Sequence, residues 1–193
     1  MGKIFIDKKL IHSILFWISA IVLTHLQTFN VAAQGNVDEY VYKRVFIYKI
    51  AYRFIEWPEN SKVQNPNLPF VISVIGDDPF EGKLKELEKN PKLKINGKRI
   101  VVRNIHSIEE IEGSDILFIS SSEKYDVSKI IKYTHKKPIL TIGETKGYLE
   151  KGVMIFIYIK GDYIRFSINK KEADACGIYI SSQLLGPAEK VIR

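Results

Sequence analysis

The chain has one cysteine, Cys176, among 193 residues. A single thiol closes no internal disulfide. Its setting, EADACGIYI, is small and apolar, which suits a buried, inert thiol better than a nucleophile, and no histidine partner stands beside it in the sequence. Histidine is scarce too: of 4 in the chain, only His106 and His135 lie beyond residue 33. Neither belongs to a metal-binding pattern such as HExxH, and no loop of alternating carboxylates suggests calcium. A phosphate loop would need GxxxxGK followed by Ser or Thr, or GxGxxG, and both are absent. The hydrolase elbow GxSxG is absent as well. There are no internal repeats and no low-complexity segments. Lysines are scattered among glutamates rather than gathered in a stripe with aromatics, so the net charge of +7 reads as a solvated surface and not as a nucleic-acid footprint. These absences leave catalysis resting on an unassisted Asp, Glu or Ser, and imply a protein that is not an enzyme and carries neither cofactor nor metal.

What is present begins with MGKIFIDKKL, which holds Lys3, Lys8 and Lys9. An uncharged run follows from Ile11 to Leu26, then the small-residue exit QTFNVAAQ. Basic head, apolar middle and small-residue exit describe a secretory signal peptide, with Val31 and Ala33 at the −3 and −1 positions of cleavage after Ala33. The rival, an uncleaved anchor, needs about 20 apolar residues to span a bilayer, more than this run supplies. No cysteine lies near residue 33 to carry a lipid. Residues 1–33 are therefore expected to be a cleaved signal, and residues 34–193 one exported domain large enough for its own core. Cleavage removes three lysines and one aspartate, taking the net charge from +7 to +5.

Along the domain, apolar residues at 41, 45, 48, 52 and 55 have helical spacing, and Pro58 stops that helix. NSKVQNPNLP, residues 60–69, is a polar loop. FVISVI (70–75), KRIVVRNI (98–105), DILFIS (115–120) and PILTIG (138–143) read as strands. Between them, a helix is expected from Asp78, with Asp78 as its cap and Pro79 at its first position. A short helix capped by Ser107, with Glu110 three residues on, is expected next. A third helix carries Val127, Ile130, Ile131 and Thr134 on one side. VMIFIYIKGDYIRFSIN reads as a hairpin turning at Lys160–Gly161–Asp162, and EADACG and SSQLLGPAEKVI as terminal helices. Strands alternating with helices imply parallel pairing, and near-continuous apolar strands imply burial on both faces. The expected fold is α/β: three layers, a mostly parallel sheet flanked by helices, with a late antiparallel hairpin.

In such sheets ligands bind beyond the carboxyl ends of the strands, where strand order switches. Three polar segments arrive there: GDDPF, SSSE and GETKG. They nominate Gly76, Asp77, Asp78, Ser120, Ser121, Ser122, Glu123, Gly143 and Glu144 as a ligand pocket. Asp77 and Asp78 do not complete a phosphoacceptor site, because the central strand ends in Ser120 and its aspartate, Asp115, is at its start. Asp78 before Pro79 suits a helix cap. Asp77 is left open by the sequence.

The motifs taken in order resemble one family. YKIAYRFIEWP (48–58), VISVIGDDPFEGKL (71–84), GKRIVVRNI (97–105), DILFISSSE (115–123), PILTIGETKGYLEKGVM (138–154), IRFSIN (164–169) and GIYISSQLL (177–185) match the YfiR-like family of small exported bacterial proteins, over roughly residues 40–190. The resemblance implies a periplasmic regulator that binds and represses the outer domain of a membrane diguanylate cyclase, so that release raises cyclic di-GMP and favours biofilm. Other members imply a histidine kinase or an outer-membrane receptor system as partner, and a homodimer. This sequence departs from the family where the hairpin begins: Phe156 stands where relatives carry Asn in a Gly-Gly-Met-Ile-Asn-Phe run. It also has Cys176 alone where members often pair cysteines, which argues against a disulfide switch.

Two readings follow. In the first, packed apolar anchors bind the membrane protein; Trp57 and Phe80 are the nominated anchors, with Tyr52 and Phe54 more evenly divided between surface and core. In the second, the strand-end loops bind a small ligand that shifts affinity for that partner.

Overall fold

The computed structural model describes residues 39–193. The expected signal peptide and its cleavage point lie outside the described residues. The chain opens with helix α1 (Glu39–Arg53) and the short strand β1 (Ile55–Glu56). There follow β2 (Phe70–Ile75), α2 (Glu86–Lys89), β3 (Lys94–Ile95), β4 (Lys98–Ile105) and β5 (Ile116–Ile119). Then come α3 (Val127–Thr134), β6 (Leu140–Gly143), β7 (Ile155–Lys160) and β8 (Tyr163–Asn169). The chain closes with α4 (Lys170–Ala175), β9 (Tyr179–Ile180), α5 (Ser182–Leu185) and β10 (Val191–Ile192).

Eight strands form one sheet in the order β10-β8-β7-β6-β5-β2-β4-β3. The block β7-β6-β5-β2-β4 is parallel throughout. β8 runs antiparallel to β7 through a two-residue turn, and β3 antiparallel to β4. β1 pairs with β9 in a separate antiparallel ribbon.

Strand residues alternate between two cores, as a period of two requires. Ile116 and Phe118 join Ile47 and Ile50 of α1 on one face. Leu117 and Ile119 join Val127, Ile130 and Ile131 of α3 on the other. Every residue of β2, β5 and β6 is buried, because helices cover both faces. The three-layer α/β architecture with its late hairpin is therefore the observed one. Among the described residues, no helix is long and apolar enough to cross a membrane.

The local structure corrects four expectations. First, α1 buries Lys43, Ile47, Ile50 and Ala51, not the 41/45/48/52 stripe. The helix carries apolar residues around most of its circumference, so spacing alone does not select a face. A lysine at the amino-terminal end of the true buried face hides it. Second, residues 78–90 do not form one helix. Glu81 and Gly82 both have left-handed φ, 50° and 80°, which breaks the helical path. A 3₁₀ turn at Lys83–Lys85 and the single turn α2 replace it. Third, Ser107 caps nothing; the following 3₁₀ turn is Glu109–Ile111, and Glu110 Oε2 instead accepts from His106 N at 2.9 Å. Fourth, the last helix stops at Leu185, just before Pro187, and Val191–Ile192 pair with β8 as a strand.

Candidate functional site

β2 occupies the pivot of the parallel block. The chain leaves its carboxyl end toward β4 on one side, and leaves the end of its other neighbour, β5, toward β6 on the opposite side. The loops diverge, so a crevice opens between the ends of β2 and β5. Gly76 makes their close approach feasible. Its φ is +94°, and a Cβ there would lie 3.1 Å from each of Glu123 N, Ser120 Cβ and Ser122 Oγ. The next residue ties the loops together: Asp77 N donates to Ser122 Oγ at 2.8 Å. Ser120, fully buried below, shares a hydrogen bond with Ser122 through their hydroxyls at 3.0 Å.

Above this knot lies an open cavity of about 280 Å³, lined by Gly76, Asp77, His106, Ser122, Glu123, Lys124 and Tyr125. That is near the lower end of the usual range for small-molecule sites. Glu123 already accepts from Tyr125 N at 2.7 Å through one oxygen. The Asp77 carboxylate faces solvent with no intramolecular partner among the described residues.

Of the nine nominated ligand residues, the structure brings Gly76, Asp77, Ser122 and Glu123 together around the cavity, with Ser120 beneath. Asp78 is otherwise engaged: its two oxygens accept from Phe80 N at 2.9 Å and Gly82 N at 3.0 Å, organising the turns that replace the expected helix. Ser121, Gly143 and Glu144 lie outside the cavity lining. Glu144 accepts from Ser121 N at 3.0 Å with one oxygen and pairs with Lys43 Nζ at 2.6 Å with the other. Lys43, only 2 % exposed, also reaches Glu39. This pair links α1 to the ends of β5 and β6. It was not legible earlier because it joins residues 101 positions apart. His106, Lys124 and Tyr125 were missed too. The available signal for His106 was its place directly after the end of β4, matching Gly76 directly after β2.

Both nominated anchors are core residues. Trp57 is 4 % exposed and meets Phe70 edge-on at 5.1 Å. Phe80 is 0 % exposed, wedged between Tyr40 and Phe118 with ring centres 5.3 and 4.9 Å away. Neither presents a surface in this conformation. The outward residues are instead on α1: Tyr42, Val45 and Tyr52 are exposed, and Tyr52 stacks on Tyr48 at 5.7 Å.

Two other polar clusters are structural in character. At the amino ends of the strands, buried Asp115 accepts from Val71 N and Lys62 Nζ, both at 2.7 Å. Burial pushes its carboxyl above the usual range, more than Lys62 and the Val71 amide lower it. Lys98 beside it donates to the Lys62 carbonyl at 3.0 Å and to that of Asn65, and burial holds its ammonium below the usual range. The second cluster joins α3 to α4: His135 Nδ1 lies 2.9 Å from Glu172 Oε1. Cys176 Sγ lies 3.7 Å from the same oxygen. Burial, with Glu172 nearby, pushes the thiol up to about 11, so it stays protonated and unreactive. Among the described residues no group of three or more His, Cys, Asp or Glu side chains is arranged to hold a metal ion.

The profile of one family, DUF4154, described as YfiR/HmsC-like, matches residues 40–189. A comparison with curated proteins finds no match. Among solved structures, a conserved domain protein from Vibrio cholerae O1 biovar El Tor superposes with a TM-score of 0.50 at 16 % identity. The match covers 79 % of this chain and 60 % of that one. The ABC domain from Streptococcus pneumoniae, solved in complex with L-Trp, gives a TM-score of 0.45 at 16 % identity over 64 % of this chain and 55 % of its own. The chain thus spans less than two thirds of the length of both. At these identities the V. cholerae likeness speaks to fold only.

Proposed function

The chain belongs to the YfiR/HmsC-like family, and from that premise we propose that it is a non-enzymatic regulator of the periplasm. It binds and represses the outer domain of a membrane signalling protein, in the first instance a diguanylate cyclase, and its release raises cyclic di-GMP and favours biofilm. The observation that carries the binding role, beyond family membership, is the aromatic face that α1 turns to solvent. Its exposed tyrosines, Tyr42 and Tyr52, are of the residue type that typically anchors protein interfaces. Deleting the gene should raise cyclic di-GMP or the output of the associated kinase, and restoring it should reverse the change. Unchanged output with a membrane sensor present sinks the reading.

The cavity at the switch point supports a second, compatible reading, in which a small ligand sets the affinity for the partner. The Lys43–Glu144–Ser121 chain of contacts gives a route, since it joins the partner-facing helix to the loop that lines the cavity. A metabolite that raises the melting temperature of the wild type but not of Asp77→Ala would support it. If no metabolite produces a shift, this second reading has no basis.

A further inference from the structure

An apolar groove of about 310 Å³ runs beside α1, with Val45, Tyr48 and the Arg44 stem on one wall and Leu87, Asn90 and Leu93 on the other. Val45 and Tyr48 line it, and the outward residues Tyr42, Lys49 and Tyr52 continue their helix-pairing spacing along α1. Steps of three and four residues are the pattern by which one helix receives another. α1 uses its opposite side, Ile47, Ile50 and Ala51, to cover the sheet, so among the described residues this seam faces outward.

The free charge beside the groove is mostly basic, with one exception: Glu88 is an exposed carboxylate that accepts from Val102 N and pairs with no base among the described residues. Glu86, on its wall, is neutralised by Arg44. Lys49 and Arg53 on α1, and Lys85, Lys89, Lys92 and Lys94 on the opposite wall segment, are exposed and have no carboxylate partner among the described residues. A concave apolar seam with a basic rim excludes a second copy of the same surface, which would set these lysines against one another. Its shape also suits a rod better than a flat bilayer.

We propose that this groove docks an acidic amphipathic helix, and that such a helix in the outer domain of the membrane partner is what the regulator holds. This rests on the regulatory reading above and adds to it the surface used and the chemistry of what it recognises. Association driven by the lysine rim is steered by charge and weakens with salt.

The test uses the full chain and two synthetic helical peptides with leucine at steps of three and four, one otherwise glutamate-rich, the other lysine-rich. The glutamate peptide should bind and the lysine peptide should not. Val45→Asp in the seam and the double substitution Lys89→Glu/Lys92→Glu at the rim should each weaken binding at least about tenfold, while both variants melt as the wild type does. Binding of both peptides alike, no binding of the glutamate peptide, or binding untouched by either variant overturns the proposal. So does binding to phosphatidylglycerol vesicles in place of the peptide with the same residue dependence, which would assign the groove to lipid. A complementation arm separates the two levels. If Val45→Asp silences signalling as well as the wild type does, the groove is wrong and the regulator stands. If the wild type itself leaves signalling unchanged, the regulatory reading and the groove's stated partner fall together.

Discussion

The two ends of the parallel strands hold the same kinds of residue to opposite effect. At the amino ends, Asp115 is enclosed, and its carboxylate is taken up by Lys62 and the Val71 amide. Lys98 beside it is satisfied by loop carbonyls. At the carboxyl ends, Asp77 stands at the mouth of a crevice beside His106 and Lys124, its carboxylate without a partner among the described residues. The amino-end cluster clamps the 60–69 loop to the sheet and is enclosed by it. The carboxyl-end cluster is held in place through backbone and serine contacts, which leaves its charges available. An acid is informative about binding only when its hydrogen-bonding capacity is unspent.

Substitutions at the two ends should separate these roles. The largest effect is expected from Asp115→Ala, which strands a buried amide and uncouples Lys62, at about 3 kcal/mol of stability. Asp115→Asn, which keeps an acceptor for Val71 N, should lose much less. Urea unfolding of the two variants checks the order, and equal losses would mean that the ion pair, not the amide contact, dominates. Next, Gly76→Ala places a Cβ in a left-handed conformation against three atoms at 3.1 Å, and should destabilise by about 2 kcal/mol in a thermal melt. A neutral result would show that the loops at the switch point yield easily.

A pH effect follows in size. The Asp115 carboxyl has a folded pKa raised above its unfolded value of 3.8, chiefly by burial. The folded state therefore holds that proton more tightly. Its contribution is fully present below the unfolded pKa and is lost as pH rises through the folded one. The stability of the wild type relative to Asp115→Asn should accordingly be greater in mild acid than at neutral pH. A difference that is flat across that window would mean the ion pair with Lys62 fully offsets the burial. Smallest of all, Asp77→Ala should change stability by no more than about 0.5 kcal/mol, as an exposed, unpartnered side chain allows. A large loss there would erase the contrast between the two ends.

The sheet was legible because β2, β5 and β6 are almost wholly apolar and stop at polar residues, as the strands of a parallel sheet covered on both faces do. The pocket was half legible. Gly76, Asp77, Ser122 and Glu123 follow strands and so announce themselves, whereas Lys124, Tyr125 and His106 join them only through the way the loops fold. Trp57 and Phe80 were misplaced because aromatic residues beside loops look alike in sequence whether the chain turns them inward or outward. The α1 helix shows the limit most clearly. Its apolar spacing at 41, 45, 48 and 52 is genuine, but the fold buries the other side, from Lys43 to Ala51.

The sequence by itself determined the class of fold, the order of its main strands and the family, because hydrophobic periodicity and turn chemistry are local and each motif carries its own signal. Tertiary structure alone decided which side of α1 meets the sheet, which acid is spent and which is free, and that Glu144 turns to Lys43 rather than to the crevice. Those outcomes depend on contacts between residues far apart in the chain, where burial and the pairing of charge are settled only once the elements have packed.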